Sequence, residues 1–416
     1  MRRTLFQAAL LASAIVLSNG CARPSLQPSQ PAPFGRWFAT WIASPSDAPA
    51  RPPRDSIDRI PTLFDQTVRL IVHTSIGGDK VRIRVSNEYG DRSLVIGAAH
   101  IAVRDAGSSI NPSTDRTLTF SGNPSLRLRP GSIAFSDPVS LAVPALRDVA
   151  ISIHVADSAR LATRHALALQ TSYVRRGNVT SAREFVPDTT MFIWPFLVGV
   201  DVTNSAATGV IATIGNSITD GALSTRDANA RWPNILAARL LASAEPVKAV
   251  VNAGISGGRV LTYGAGASAL ARFDRDVLMT PGLTHVILLE GINDIGRSAV
   301  DGVTADEIIA GYRQLIVRAH DRGIAIVGAT LTPASPRAPF TTALEAKRAA
   351  VNAFVRNSGE FDGIIDFDQA TRDPAYPLQF LPKYDSGDHL HPGDAGYRAM
   401  GEAIDLTLFR RQPARN

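Results

Sequence analysis

Two patterns of apolar positions divide this chain. Between residues 34 and 202 apolar and polar side chains alternate in short runs: Thr67-Val68-Arg69-Leu70-Ile71-Val72-His73, Lys80-Val81-Arg82-Ile83-Arg84-Val85, Arg116-Thr117-Leu118-Thr119-Phe120 and Asp148-Val149-Ala150-Ile151-Ser152-Ile153-His154. A period of two puts successive side chains on opposite faces of a strand, so each run predicts a half-buried strand. Turn-forming sequences such as Gly77-Gly78-Asp79, Tyr89-Gly90-Asp91 and Pro130-Gly131-Ser132 separate these runs, and no long helical window intervenes. The region 34–202 therefore reads as an antiparallel β-sandwich.

From residue 208 to 411 the rhythm changes. Residues 209–214, 247–251, 284–289 and 324–329 are continuous apolar runs, with a weaker one at 364–367. Helical windows at 229–242, 266–277, 304–320 and 341–356 lie between them, and 395–409 closes the chain. Strands apolar on both faces, alternating with helices, predict an α/β fold with a doubly wound parallel sheet. A chain of 416 residues, 45% hydrophobic and 19% charged, suits two such domains and is unlike a disordered one. The formal charge of +6 is spread without any run of five or six like charges, so no nucleic-acid partner is expected.

The single cysteine, Cys21, belongs to the amino-terminal segment. Arg2 and Arg3 precede an apolar stretch at 5–17, which has the length of a signal-peptide core and is shorter than the roughly 20 residues that span a bilayer. Residues 1–21 thus read as a signal peptide, 22–33 as a Pro/Gln/Ser-rich linker, and Cys21 as a lipid-attachment point of lipoprotein type. An ordinary secretory signal cut near Ala22 is the alternative. Both imply export, to the periplasm or the cell surface.

In an open parallel sheet ligands bind beyond the carboxyl ends of the strands, so the chemistry is sought in the turns there. The first is Ile214-Gly215-Asn216-Ser217-Ile218-Thr219-Asp220-Gly221, where a serine after a buried strand could act as a nucleophile beside helix N–H groups or simply cap the helix. The second, Val251-Asn252-Ala253-Gly254-Ile255-Ser256-Gly257-Gly258, reads as a tight turn or a close approach to a ligand. In the third, Leu289-Glu290-Gly291-Ile292-Asn293-Asp294, Asn293 could aim an amide donor at the same spot or cap a helix. Near the end, Ser386-Gly387-Asp388-His389-Leu390-His391 places a carboxylate three residues before an imidazole it could orient. Asp388, His389 and His391 also admit a metal reading, but nothing else completes a coordination set, and neither a metal nor a cofactor is expected. Tyr376, Phe380 and Tyr384 crowd the approach to Asp388 and are candidates for a substrate pocket, while Trp37, Trp41 and residues 42–45 are candidates for a seam between the domains.

These four turns, in this order, resemble the four blocks of the SGNH hydrolases, the GDSL-type esterases and lipases. The resemblance covers residues 208–409 and falls on Gly215-Asn216-Ser217, Gly254-Ile255-Ser256-Gly257, Gly291-Ile292-Asn293-Asp294 and Asp388-His389-Leu390-His391. It implies Ser217 as nucleophile, His391 as general base, Asp388 as its orienting carboxylate, and an oxyanion hole formed by the Ser217 and Gly257 N–H groups and the Asn293 side chain. Asn216 departs from the pattern, where the family name implies Asp. The implied activity is hydrolysis of small-molecule or polysaccharide carboxylic esters, with acylated carbohydrate first among substrates. Lipase, arylesterase or acyltransferase action with the same triad, and an inactive glycan-binding surface protein, are the alternatives. Some secreted SGNH esterases that deacylate polysaccharides likewise carry a β-sandwich ahead of the catalytic domain.

Overall fold

A computed structural model describes residues 36–47, 62–335 and 340–410. The segments read as signal peptide and linker, Cys21 included, lie outside the described residues.

Beside a two-stranded sheet and a three-stranded one that contains Thr163–His165, two large antiparallel sheets form most of the amino-terminal part. One holds Trp37–Ile42, Leu197–Thr203, Gly78–Ser86 and Val139–Val143, with Ile133–Phe135 added along Gly78–Ser86. The other holds Thr189–Met191, Ser172–Arg176, Gln66–His73, Asp148–Val155, Leu94–Val103 and Arg116–Leu118, with Leu126–Leu128 beside Leu94–Val103. Val81, Ile83 and Val85 of the first share one core with Val68, Leu70, Ile151 and Ile153 of the second. The alternating pattern underestimates burial in the central strands: Ile71, Ala102 and Ala150 on the outer face are covered by Ile110, so Gln66–His73 is buried on both sides. Arg69 is buried there as well, and its guanidinium donates to Ser152 Oγ (2.8 Å) and to the carbonyls of Ala182 (2.7 Å) and Thr180 (3.2 Å). A buried charge persists because its donors are satisfied.

In the carboxyl-terminal part five strands, Gly209–Gly215 (β1), Lys248–Gly254 (β2), Leu283–Leu289 (β3), Ala325–Ala329 (β4) and Gly363–Ile365 (β5), form a wholly parallel sheet. Its order is β2-β1-β3-β4-β5. Connections run one way from β1 to β2 and the other way from β3 onward, so the crevice at the carboxyl end of β1 is the topological switch point. Ser217–Asp220 (α1) starts there. Trp232–Ala242 (α2) packs with Asp394–Ala403 (α6), whereas Ile292–Asp301 (α3) and Ala305–His320 (α4) pack with Thr342–Asn357 (α5).

Helix ends follow local chemistry. Thr304 and Glu307 form a reciprocal capping box on α4, and Thr341 caps α5 through the Leu344 N–H. The window at 266–277 is instead a short helix, Ala269–Phe273, running into a π-helical turn at Asp274–Leu278. The weak run at 364–367 ends as a strand at Ile365, because the Asp366 side chain accepts from Gln369 N–H and starts the helix Phe367–Thr371.

The sandwich and the parallel sheet share a continuous core. Strand Trp37–Ile42 lies along β2, and the Ser44 hydroxyl donates to the Ala253 carbonyl (3.3 Å). Trp41 is buried at this seam, edge-on to Trp194 with ring centroids 4.9 Å apart. Trp37 is half-buried beneath the Arg82 guanidinium, 4.5 Å from its ring.

Candidate active site

The turn after β1 is ordered by Asn216 rather than by the serine. Asn216 is the residue that caps α1: its Oδ1 accepts from Ile218 N–H (2.9 Å) and its carbonyl from the N–H groups of Thr219 (3.1 Å) and Asp220 (2.8 Å). Ser217 is thereby the first helical residue, and its hydroxyl is not spent on capping.

Ser217 Oγ lies 2.8 Å from His391 Nε2, and His391 Nδ1 lies 2.7 Å from Asp388 Oδ2. Asp388 Oδ1 accepts from the N–H groups of His391 (2.8 Å) and Leu390 (3.0 Å) and from the Ser386 hydroxyl (3.1 Å). Partial burial pushes the Asp388 carboxyl up, but the His391 N–H and ring and the Leu390 N–H outweigh it and hold it at about 2. An ionised Asp388 fixes the proton on Nδ1 and leaves the Nε2 lone pair toward the serine. Serine, imidazole and carboxylate are brought together across 174 residues of sequence.

His389 turns elsewhere. At φ +59° its backbone adopts the left-handed region, and its Nδ1 lies 2.5 Å from Asp385 Oδ2 with the side chain 47% exposed. Among the described residues no group of three His, Cys, Asp or Glu side chains could hold a metal ion.

The two other turns are tied to α1 and to each other. Gly254 ends β2 against α1 so closely that a Cβ there would sit 2.5 Å from Asp220 N. Gly257 has φ +79°, a conformation a side chain would strain, and its half-buried backbone follows Ser256. Asn293, in the first turn of α3, donates through Nδ2 to the Gly258 carbonyl (2.9 Å), so the third turn is tied to the second. The amide nitrogen carries two protons, and this bond uses one of them. Asp294 holds the stretch beyond, accepting from the N–H groups of Val260 (2.9 Å) and Leu261 (3.1 Å).

Behind the serine lies an ionisable layer that the sequence did not single out. Arg272 is fully buried and donates to the Ala253 carbonyl (2.5 Å) and the Gly215 carbonyl (3.2 Å), binding the ends of β2 and β1. Its guanidinium is 3.5 Å from Glu290. Burial pushes the Glu290 carboxyl up to about 8; Arg272 and the nearby Asn216 amide pull the other way, and Asp294 adds to the rise. Next to that carboxyl, an asparagine at 216 avoids a second acidic group.

Of the proposed pocket residues, Phe380 is buried, Tyr376 is 63% exposed, and Tyr384 is half-buried beneath Lys383, whose Nζ stands 4.9 Å from its ring. The three side chains thus differ widely in exposure, from buried Phe380 to solvated Tyr376.

Residues 213–399 match the model of the GDSL-like lipase/acylhydrolase family. Comparison with curated proteins gives no significant match. Similar solved structures include an acetylxylan esterase from Geobacillus stearothermophilus (21% identity, 50% of this chain and 99% of that one, TM-score 0.38). A GDSL-like lipase from Bacteroides thetaiotaomicron (18%, 48% and 88%, TM-score 0.37) and an α/β hydrolase from a Lake Arreo metagenome (23%, 48% and 94%, TM-score 0.39) are others. Through residues 213–399 the chain carries a GDSL-like lipase/acylhydrolase domain, and it is a carboxylic ester hydrolase.

Proposed function

We propose that this protein is an exported serine esterase that cleaves carboxylic esters through an acyl-enzyme on Ser217. The observation that carries the reading is the unbroken hydrogen-bond chain Asp388–His391–Ser217 at the switch point of the sheet. In the first half-reaction Ser217 Oγ attacks the ester carbonyl carbon while its proton passes to His391 Nε2. The carbonyl oxygen becomes an oxyanion, which the N–H groups of Ser217 and Gly257 and the remaining Asn293 amide proton receive. Collapse breaks the bond to the alcohol, which takes the proton from His391. Water, deprotonated by the same nitrogen, then releases the acid.

Acylated carbohydrate is the substrate class we favour, because a β-sandwich precedes the hydrolase domain, a layout resembling that of secreted polysaccharide deacylases. Export rests on the character of residues 1–21, with Cys21 as the lipid-attachment point. Turnover of chromogenic esters of increasing acyl length, beside acetylated xylan and phospholipid, tests the substrate class: preference for acetyl esters and acetylated xylan supports it, and preference for phospholipid overturns it. Cys21→Ser moves a lipoprotein from the membrane fraction to the soluble exported fraction. A wild-type protein already soluble contradicts the anchor.

A further inference from the structure

His165 belongs to strand Thr163–His165 of the amino-terminal part, yet it ends against the catalytic turn. Its Nε2 lies 2.9 Å from Asp220 Oδ1 and its Nδ1 lies 3.0 Å from the Ser44 carbonyl. A carbonyl oxygen can only accept, so Nδ1 carries a proton; with Asp220 ionised, Nε2 must carry one too. The pair is buried, His165 at 5% and Asp220 at 3% exposure, so an unmatched charge here would be costly.

The second oxygen of Asp220 reaches the other side of the site. Oδ2 accepts from the Ser256 N–H (2.9 Å) and the Ser256 hydroxyl (2.8 Å), and Ser256 immediately precedes Gly257. Asp220 itself is the last residue of α1, three positions after Ser217. The Arg231 Nε donates to the Asp220 carbonyl (2.7 Å), and the Trp194 ring lies tilted against the His165 ring with centroids 5.6 Å apart. One carboxylate thus spans the nucleophile helix and the oxyanion loop, and the cation hydrogen-bonded to it comes from the sandwich, with Arg231 of the hydrolase part adding charge nearby.

We infer that His165 and Asp220 are positioning residues, through which the β-sandwich sets the Ser256-Gly257 loop for oxyanion stabilisation. The sandwich is then a working part of the esterase and not an appended module. This inference rests on the Ser217 reading of the reaction.

The arrangement has a pH signature. Burial lowers the proton affinity of His165, but Asp220, by charge and hydrogen bond, and the Ser44 carbonyl together raise it above the usual 6.5, with Arg231 opposing. The other titratable groups near it are His73, hydrogen-bonded to Asp148; Arg164 on its own strand and Asp47 on the adjoining one; and Tyr397, behind Asp220. Once His165 loses its Nε2 proton, a lone pair faces the Asp220 carboxylate, and the grip on Ser256 weakens. Transition-state stabilisation suffers more than ground-state binding, so kcat falls on the alkaline side while KM changes little.

The test measures kcat and KM of the full chain on a chromogenic acetyl ester from mildly acidic to alkaline pH, for wild type, His165→Gln, Asp220→Asn, Ser256→Ala and Ser217→Ala. Asp220→Asn is expected to lose about ten- to a hundred-fold in kcat with KM within about threefold, part of what removal of an oxyanion donor costs. His165→Gln is expected to lose a similar factor and to abolish the alkaline decline. Ser256→Ala removes a single hydroxyl from a half-buried position, keeps the fold, and is expected to lose about tenfold in kcat. Wild-type kcat and an unchanged alkaline limb in the folded variants overturn the inference, as does a loss that only tracks a fall in thermal stability. Turnover by Ser217→Ala would instead break the underlying reading of the nucleophile.

Discussion

Replacing Asp388 by Asn keeps the shape of the side chain and inverts its message to His391. Asp388 Oδ1 is held by the N–H groups of Leu390 and His391, so an asparagine there keeps its oxygen on that side and turns its NH2 toward His391 Nδ1. Nδ1 must then accept, which places the ring proton on Nε2, 2.8 Å from the Ser217 hydroxyl. A protonated Nε2 cannot take the serine proton. For such a tautomer reversal the expected loss in kcat is on the order of a thousand- to ten-thousand-fold, with KM little changed. The stability effect is much smaller. Held at about 2 instead of 3.8, the carboxylate contributes on the order of 2 kcal/mol at neutral pH. With 36% of the side chain exposed, screening reduces this to about 1 kcal/mol. Because the folded-state value is depressed, that contribution is present above 3.8 and disappears as pH falls toward 2. Steady-state kinetics on an acetyl ester beside chemical denaturation separates the two effects. A folded Asp388→Asn protein with kcat within tenfold of wild type would refute the orienting role.

Asn293→Ala removes both the tie to Gly258 and the proposed oxyanion proton, and kcat is expected to drop about a hundred- to a thousand-fold; a loss below fivefold excludes it from the hole. His389→Ala breaks only the exposed contact with Asp385 and should leave kcat within about threefold of wild type, whereas a loss matching His391→Ala would call for a different base. Glu290→Gln should stabilise the fold above neutral pH. The wild-type carboxyl titrates near 8 when folded against 4.5 as its ordinary value, so stability declines as pH rises between the two; denaturation across this range should show a flatter slope in the variant, and an unchanged slope contradicts a buried, protonated Glu290.

The positions of the main elements could be read from periodicity, since strands buried on both faces leave continuous apolar runs and alternating ones leave a period of two. So could the turns after β1, β2 and β3, and the Asp388–His391 loop, because short-range spacing carries their geometry. What escaped was long-range. His165 and Asp220 are 55 residues apart, and nothing local to either marks their meeting. Arg272 falls inside the helical window at 266–277 with nothing local to mark it, and only the packed structure brings its guanidinium to the carbonyls of Gly215 and Ala253. Tyr376, Phe380 and Tyr384 are neighbours in sequence, yet the loop sends their rings to environments of different exposure, which spacing alone does not reveal.

On the proposed mechanism the reaction passes through an ester on Ser217. Acid-quenched intact-mass spectrometry during turnover of an activated acetyl ester, followed by peptide mapping, reads this directly. One acetyl group on the peptide containing Ser217, absent in Ser217→Ala, is the expected result. Turnover by Ser217→Ala, or an acetyl group carried by a different residue during turnover, would contradict it.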